Sequence, residues 1–398
     1  MTALSNPAAR TAPTVTIVLL PIMAIVFFAF LVAGVALPVL PLHVHEDLGR
    51  STFIVGLVSG SQFAAALLTR MWAGRYADSR GAKRAVTIGL FAAGAGGVLY
   101  LVSLLFVNTP NLSVSILLVG RAVLGGGESF IITGALGWGL ALVGMAKTGR
   151  VMAWMGTAMY AAFALGAPLG TLLNSLLGFQ SIAWVTALVP LAILVLIRPM
   201  RAVTPTAEGR PSFLKVLGSV WIPGVGLALS SFGFGAITAF SALLFAQHGW
   251  STGWVAFSAF AACFMLARVA CGDLVDRLGG ARVALFSIGI EVAGQLMMWA
   301  APWPSLAIVG AGLTGLGYSL IFPGLGVEAV RRAPSEARAL AMGAYTSCLD
   351  LALGLGAPLL GLIAGRRGMN AVFLSSAVVI ACASVAVSYL LRNNIAKP

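Results

Sequence analysis

Four ionisable residues stand inside long apolar stretches of this chain: Arg121, Glu128, Glu291 and Asp350. A charge near the centre of a bilayer costs about 2.5–3.5 kcal/mol even on the lenient insertion scale, so each of these residues needs a partner or a task. Burial disfavours the charged form of a carboxyl, so an acid in such a stretch can take up a proton as water leaves and release it as water returns. Arg121 and Glu128 fall on one helical face, about 10.5 Å apart along the axis, which is too far for a direct pair. Their face reads Arg121, Gly125, Glu128, Ile132, charges separated by small residues, as suits the wall of a water-filled cavity. An ion pair internal to the first half is the alternative. Asp350 shares its face with Gly343, Thr346, Ser347, Gly354 and Gly361. That stripe fits a close helix seam with Asp350 bonded across it, or a protonation site, and the second is the expectation. Glu291 lies on a stripe with Ser287 and Gln295 and is expected to make an interhelical hydrogen bond.

Other chemistries have little to stand on. An intramembrane enzyme needs a nucleophile and a base on converging faces, but the only histidines are His43, His45 and His248, all near span ends. The run His43-x-His45-Glu46-Asp47 has metal-ligand types, yet the residues are local, and an ordinary polar loop is the expectation. Cys263, Cys271, Cys348 and Cys382 show neither metal spacing nor a disulfide framework. There is no Gly-x-x-x-x-Gly-Lys-[Ser/Thr] loop to cradle a nucleotide, which argues against ATP as the energy source. No cofactor and no metal are expected.

The elements that must carry these charges are set by composition. Of 398 residues, 60% are hydrophobic and 9% charged, against roughly 25% charged in a soluble domain; mean hydropathy is +1.00. That excludes a soluble enzyme, a nucleic-acid-binding protein and a disordered chain. Charges, Pro and Gly divide the chain into twelve apolar segments, each near the about 20 residues that cross a bilayer: 15–41, 52–72, 85–106, 113–143, 151–177, 181–200, 216–246, 251–271, 282–301, 304–330, 338–364 and 369–391. The first is too long for the core of a cleaved signal and is read as a retained span. With the N-terminus placed in the cytoplasm, all 24 Lys and Arg except Arg50, Arg121, Arg366 and Arg367 fall in the tails, loops and helix ends of the cytoplasmic side. The net charge of +13 therefore reads as membrane topology, with both termini cytoplasmic, and not as affinity for nucleic acid.

The second half repeats the first. Phe28-x-Phe30 recurs as Phe232-x-Phe234, and Gly49-x-Ser51-Thr52 as Gly249-x-Ser251-Thr252. Arg70, Gly74, Asp78 and Gly81 recur as Arg268, Gly272, Asp276 and Gly279. Gly120, Gly125, Ser129 and Gly134 recur as Gly310, Gly315, Ser319 and Gly324, and Gly166-Ala167-Pro168 as Gly356-Ala357-Pro358. Six spans per half is an even number, so the halves run the same way across the membrane, as parallel repeats about an axis along its normal. The expected fold is an all-α membrane protein of twelve helices in two six-helix bundles. Its parts are a tail (1–14), a first bundle (15–200), a polar linker with two prolines (201–215), a second bundle (216–391) and a tail (392–398).

The loop from Gly74 to Arg84, with Gly74-xxx-Asp78-xx-Gly81-x-Lys83-Arg84, closely resembles the first signature of the major facilitator superfamily, and it lies between spans two and three as it does there. Arg121-xxx-Gly125-x-Gly127 resembles that family's second signature, associated with proton coupling. Gly166-Ala167-Pro168-Leu169-Gly170 resembles the Gly-Pro signature of its antiporter branch, with Ala167 between the Gly and the Pro and Ala162 in place of the upstream Gly. Over the whole chain the sequence looks most like bacterial drug or sugar exporters of that family. The resemblance implies a gate in which Asp78 meets the start of span eleven, here Ser335-Glu336-Ala337-Arg338, with Arg70, Gly74, Gly81, Lys83 and Arg84 around it and Arg268, Gly272, Asp276 and Gly279 as the weaker second latch. Lipid anchoring by the basic residues is compatible with that role.

A cavity for an amphipathic solute needs apolar walls with a few polar points. Phe30, Gln62, Glu128, Tyr160, Phe234, Tyr318, Phe322 and Tyr345 are the candidates, with Phe27 and Phe240 beside them; simple packing is the alternative for each aromatic. Tyr318 stands out because it occupies the repeat position of Glu128. Trp138 is expected at the membrane interface as an anchor. Asp350, Glu128 and Arg121 are the proton-coupling candidates. The reading is a monomeric inner-membrane secondary transporter whose partners are a small organic substrate, protons and lipid, exporting by alternating access. Proton-linked uptake of a sugar or other metabolite is the alternative within transport, and a non-transporting sensor or scaffold the alternative from another class.

Overall fold

The computed structural model describes residues 15–144, 147–203, 213–333 and 338–395. The tail before residue 15, most of the linker and the Ser335–Ala337 end of the expected gate lie outside them. Among the described residues, twelve helices are long and apolar enough to span a membrane: α1 Val15–Ala36, α2 Thr52–Arg80, α3 Ala82–Leu104, α4 Pro110–Val143, α5 Thr148–Leu177, α6 Phe179–Ile197, α7 Phe213–Gln247, α8 Gly253–Cys271, α9 Gly280–Trp299, α10 Pro304–Arg332, α11 Arg338–Arg367 and α12 Met369–Ile395. No strand occurs among the described residues. Hydrocarbon offers no partner to a free N–H or C=O, so a spanning segment has to close its hydrogen bonds within itself.

The packing repeats the sequence. In the first half α3 packs on α4 and α6, α2 on α4, and α1 on α5 and α6. In the second, α9 packs on α10 and α12, α8 on α10, and α7 on α11 and α12. Glycines set these crossings at matched positions. A Cβ on Gly125 of α4 would run into the carbonyl of Gln62 on α2, and one on Gly315 of α10 would run into the carbonyl of Phe260 on α8. The turns after Asp78 and Asp276 need positive φ, which Gly81 (99°) and Gly279 (88°) supply without steric cost.

Two seams join the halves: α2 against α11, and α5 against α8. The ends of the spans can be told apart by position in the chain. The terminal face is where α1 begins and α12 ends, and the distal face is the opposite one. From the distal face inward, Thr52 Oγ1 donates to Gly361 O at 2.7 Å, and Gly56 and Gly60 leave no room for a side chain against Ala357 and Gly354. Toward the terminal face a Cβ on Gly74 or Gly343 would meet nothing among the described residues within 4 Å. The seam is therefore tight from the distal face to mid-depth.

Two readings from the sequence alter. His43–Asp47 is a wide helical turn and not an open polar loop; His43 is buried, stacked on Phe179 at 3.9 Å and bonded to Asp47 at 2.7 Å. Trp138 is 1% exposed and donates from Nε1 to Arg201 O at 3.1 Å. The segment after α6 covers it, so it is no interfacial anchor.

Candidate functional site

Near the middle of the first seam, Arg70 of α2 meets Asp350 of α11. Arg70 Nε donates to Asp350 Oδ2 at 2.7 Å and Nη2 lies 2.5 Å from the same oxygen. The Asp350 side chain is 4% exposed and that of Arg70 20%. This ion pair bridges the halves where the close glycine contacts end.

One helix away, Gln62 Nε2 donates to Glu128 Oε2 at 2.5 Å. Arg121 makes a long hydrogen bond, 3.4 Å, to the Tyr100 hydroxyl. Arg121 and Glu128, expected to need separate partners, thus have them on α3 and α2. Arg121 Nε and Glu128 Oε1 are buried without a partner among the described residues. Glu291 differs from expectation. Both its carboxyl oxygens are buried without a hydrogen-bond partner among the described residues, because the helices facing it present Gly233 and Gly317 where a donor side chain would have to stand.

The second seam is aromatic. Tyr160 of α5 stacks on Phe264 of α8 with ring centroids 3.6 Å apart, Phe234 stacks on Tyr318 at 5.9 Å, and Phe30 reaches the group through Phe163 at 5.9 Å. Phe322 and Tyr345 form a neighbouring pair at 5.4 Å, tied by a bond from the Tyr345 hydroxyl to Phe322 O at 2.9 Å. The candidate cavity residues Phe30, Tyr160, Phe234 and Tyr318 are thus brought into one cluster, with Gln62 and Glu128 linked to it through Phe63, which meets Phe234 at 6.3 Å. Sequence reasoning missed Phe163, Phe257, Phe260 and Phe264, which complete the cluster.

The gate residues divide into two places. Arg70 lies in the first seam, two turns before Asp78, and Arg268 in the second, in the last turn of α8. Asp78 is half-buried on the last turn of α2. Lys83 donates to Arg198 O at 3.0 Å and Met200 O at 2.7 Å, closing the C-terminal end of α6 within its own half, and Arg84 is exposed. Gly272 is exposed at the end of α8; the Asp276 side chain lies outside the described residues.

Comparison with known proteins agrees with this architecture. A sequence model of the Major Facilitator Superfamily matches residues 22–279 and 225–398. An uncharacterized MFS-type transporter of Salmonella typhimurium is 42% identical over 386 residues, 97% of this chain and 100% of the relative. One of Burkholderia mallei is 41% identical over 399 residues, 99% and 96% of the two chains. Among solved structures, a point mutant of the nucleoside transporter NupG superposes with a TM-score of 0.76 at 15% identity, covering 94% of this chain and 99% of that one. The human organic anion transporter MFSD10 gives 0.69 at 16%, covering 94% and 100%. At these identities the structures speak for the fold alone.

Proposed function

The chain belongs to the Major Facilitator Superfamily, as a multi-pass membrane transporter of the secondary kind and not an enzyme, and on that premise we propose that it is a proton-coupled exporter of small organic molecules in the inner membrane. Both termini lie in the cytoplasm on this reading, which the distribution of Lys and Arg supports. The Arg70–Asp350 pair carries the coupling reading. It is a titratable carboxyl in a contact between two bundles that must separate for access to alternate. A proton on Asp350 removes the charge that holds Arg70, so loading the proton and loosening the seam become one event. Glu128, tied to α2 by Gln62, is the second acid of the site. The aromatic cluster supplies the apolar wall. Export is supported by the Gly166–Gly170 segment, whose Gly166 and Gly170 set α5 directly on the backbone of α1 at Gly34 and Val35, in a run that resembles the antiporter signature.

The test uses proteoliposomes with an internal pH dye and a panel of small organic solutes. The intact protein moves protons only when a transported solute is present. Asp350→Asn, normally folded, should bind solute and exchange it without any proton signal. Full proton movement in Asp350→Asn refutes the assignment.

A further inference from the structure

The repeat aligns α2 with α8 at an offset of 198 (Arg70 with Arg268) and α5 with α11 at an offset of 190 (Gly166 with Gly356). The partner of Arg70 across its seam is Asp350. The same arithmetic gives the counterpart of Asp350 as 350 − 190, Tyr160. The structure agrees: Arg268 lies on the α5 seam, its guanidinium 4.9 Å from the centroid of the Phe264 ring on which Tyr160 is stacked. A Cβ on Gly156, one turn before Tyr160, would stand 3.1 Å from Arg268 Nη1. The second pair of the site is altered in the same way. Gln62 and Glu128 correspond to Phe260 and Tyr318. Twice, one half holds an acid where the other holds a tyrosine: Asp350 of the second half against Tyr160 of the first, and Glu128 of the first against Tyr318 of the second.

The consequence is a charge left over. Arg70 is neutralised by Asp350. No carboxylate among the described residues pairs with Arg268. Its one hydrogen bond among the described residues runs from Nη2 to the backbone oxygen of Ser319 at 3.0 Å, and its Nε is buried without a partner among them. Among titratable groups, Tyr160, Tyr318 and Tyr345 interact electrostatically with it. The Tyr318 and Tyr345 hydroxyls are engaged by Ser231 and by Phe322 O; Tyr160 makes no side-chain hydrogen bond among the described residues. A guanidinium taken out of water needs a counter-charge, and its planar donors fit a carboxylate.

We propose that, once the second seam opens and frees these rings from one another, Arg268 and the Tyr160 hydroxyl form the recognition point for the carboxylate of a small organic anion whose apolar body packs on Phe234, Phe264 and Tyr318. A single guanidinium without a carboxylate partner matches the single charge of one carboxylate. The inference rests on the transport reading for its biological use, but the site itself is a binding site and is tested as one.

The probes are benzoate, benzamide and benzylamine, alike in shape and differing in charge, applied to the purified full-length protein in detergent with thermal stability and tryptophan fluorescence as readouts. Benzoate should bind and stabilise the intact protein, with the other two much weaker. Arg268→Gln should weaken benzoate about tenfold to a hundredfold, the loss of one charge-assisted set of bonds, and leave benzamide unchanged. Tyr160→Asp rebuilds the Arg70–Asp350 arrangement in the second seam, so it should fold at least as well as the intact protein and still lose benzoate. That variant decides the matter if Arg268→Gln does not fold. Benzoate binding that survives Tyr160→Asp, a preference of the intact protein for benzylamine, or no response to benzoate overturns the proposal. A protein that binds benzoate through Arg268 and moves no protons refutes the coupling reading and leaves this one standing.

Discussion

Removing the charge of Asp350 should change which face of the protein is open. The pair it makes with Arg70 joins α2 to α11 at the inner end of the distal seam, so it contributes only while that seam is closed. With side chains 4% and 20% exposed, the pair is largely out of water, and deleting one partner of a buried pair costs about 3–5 kcal/mol. Arg70 retains some exposure and can turn toward water, which places the effect near the lower end. About 3 kcal/mol is roughly a hundredfold in the ratio of distal-closed to distal-open molecules. A protein resting at about 99:1 closed would then be near 1:1, with the open population up roughly fiftyfold. Thr52 reports this, because it is 7% exposed and bonded to Gly361 when the seam is shut. In a background lacking Cys263, Cys271, Cys348 and Cys382, the rate at which an impermeant maleimide labels Thr52→Cys measures the open fraction. Asp350→Asn and Arg70→Gln should each raise that rate by tens of times, and together by no more than either alone, since both remove one interaction. Unchanged labelling in the single variants, or additive effects in the double, would show that the pair does not report on the seam.

Two further outcomes follow from the packing. Gln62→Leu removes the hydrogen-bond donor to Glu128 and should cost about 1–3 kcal/mol of stability while slowing solute-driven proton movement; a melting curve and flux both equal to those of the intact protein would detach Gln62 from the site. Gly125→Val and Gly315→Val press a side chain onto the backbone of Gln62 and Phe260, and each should lower the detergent melting temperature markedly, overpacking costing typically about 1–3 kcal/mol or more. A tolerated valine at either position would mean that these crossings are looser than the glycines indicate.

The spans were legible because a bilayer imposes a length and forbids charge, two constraints that each segment meets on its own. Boundaries moved both ways: α2 runs on past its apolar stretch to Arg80, while α1 stops at Ala36, short of the expected residue 41. The partners of the buried charges were not legible from single helices. Asp350 reads as a lone acid on a stripe of small residues, and Arg70 reads as part of a loop motif eight residues before Asp78. Nothing local connects them; the contact is 280 residues apart in sequence and exists because α2 and α11 touch. Glu291 failed for the opposite reason. Its own helix offers polar neighbours, but the deciding surfaces belong to α7 and α10, where glycines leave space and no donor.

The repeat is informative where its halves differ as well as where they match. Aligning the halves finds residues that are the same, and those are the glycines and turns that build the bundle. Function sits where aligned positions differ, because two identical half-sites would bind the same thing on both sides of the axis. Asp350 against Tyr160 and Glu128 against Tyr318 are such differences, and both place the acid in a seam or bundle with an arginine to balance it. Replacing an acid by tyrosine keeps a hydroxyl and an apolar ring but gives up the negative charge, so Arg268 is left with a surplus that Arg70 does not have. A site asymmetric in this way can hold a proton on one side of the axis and an anion on the other. Because both seams must open for access to alternate, whatever occupies either side biases the same motion.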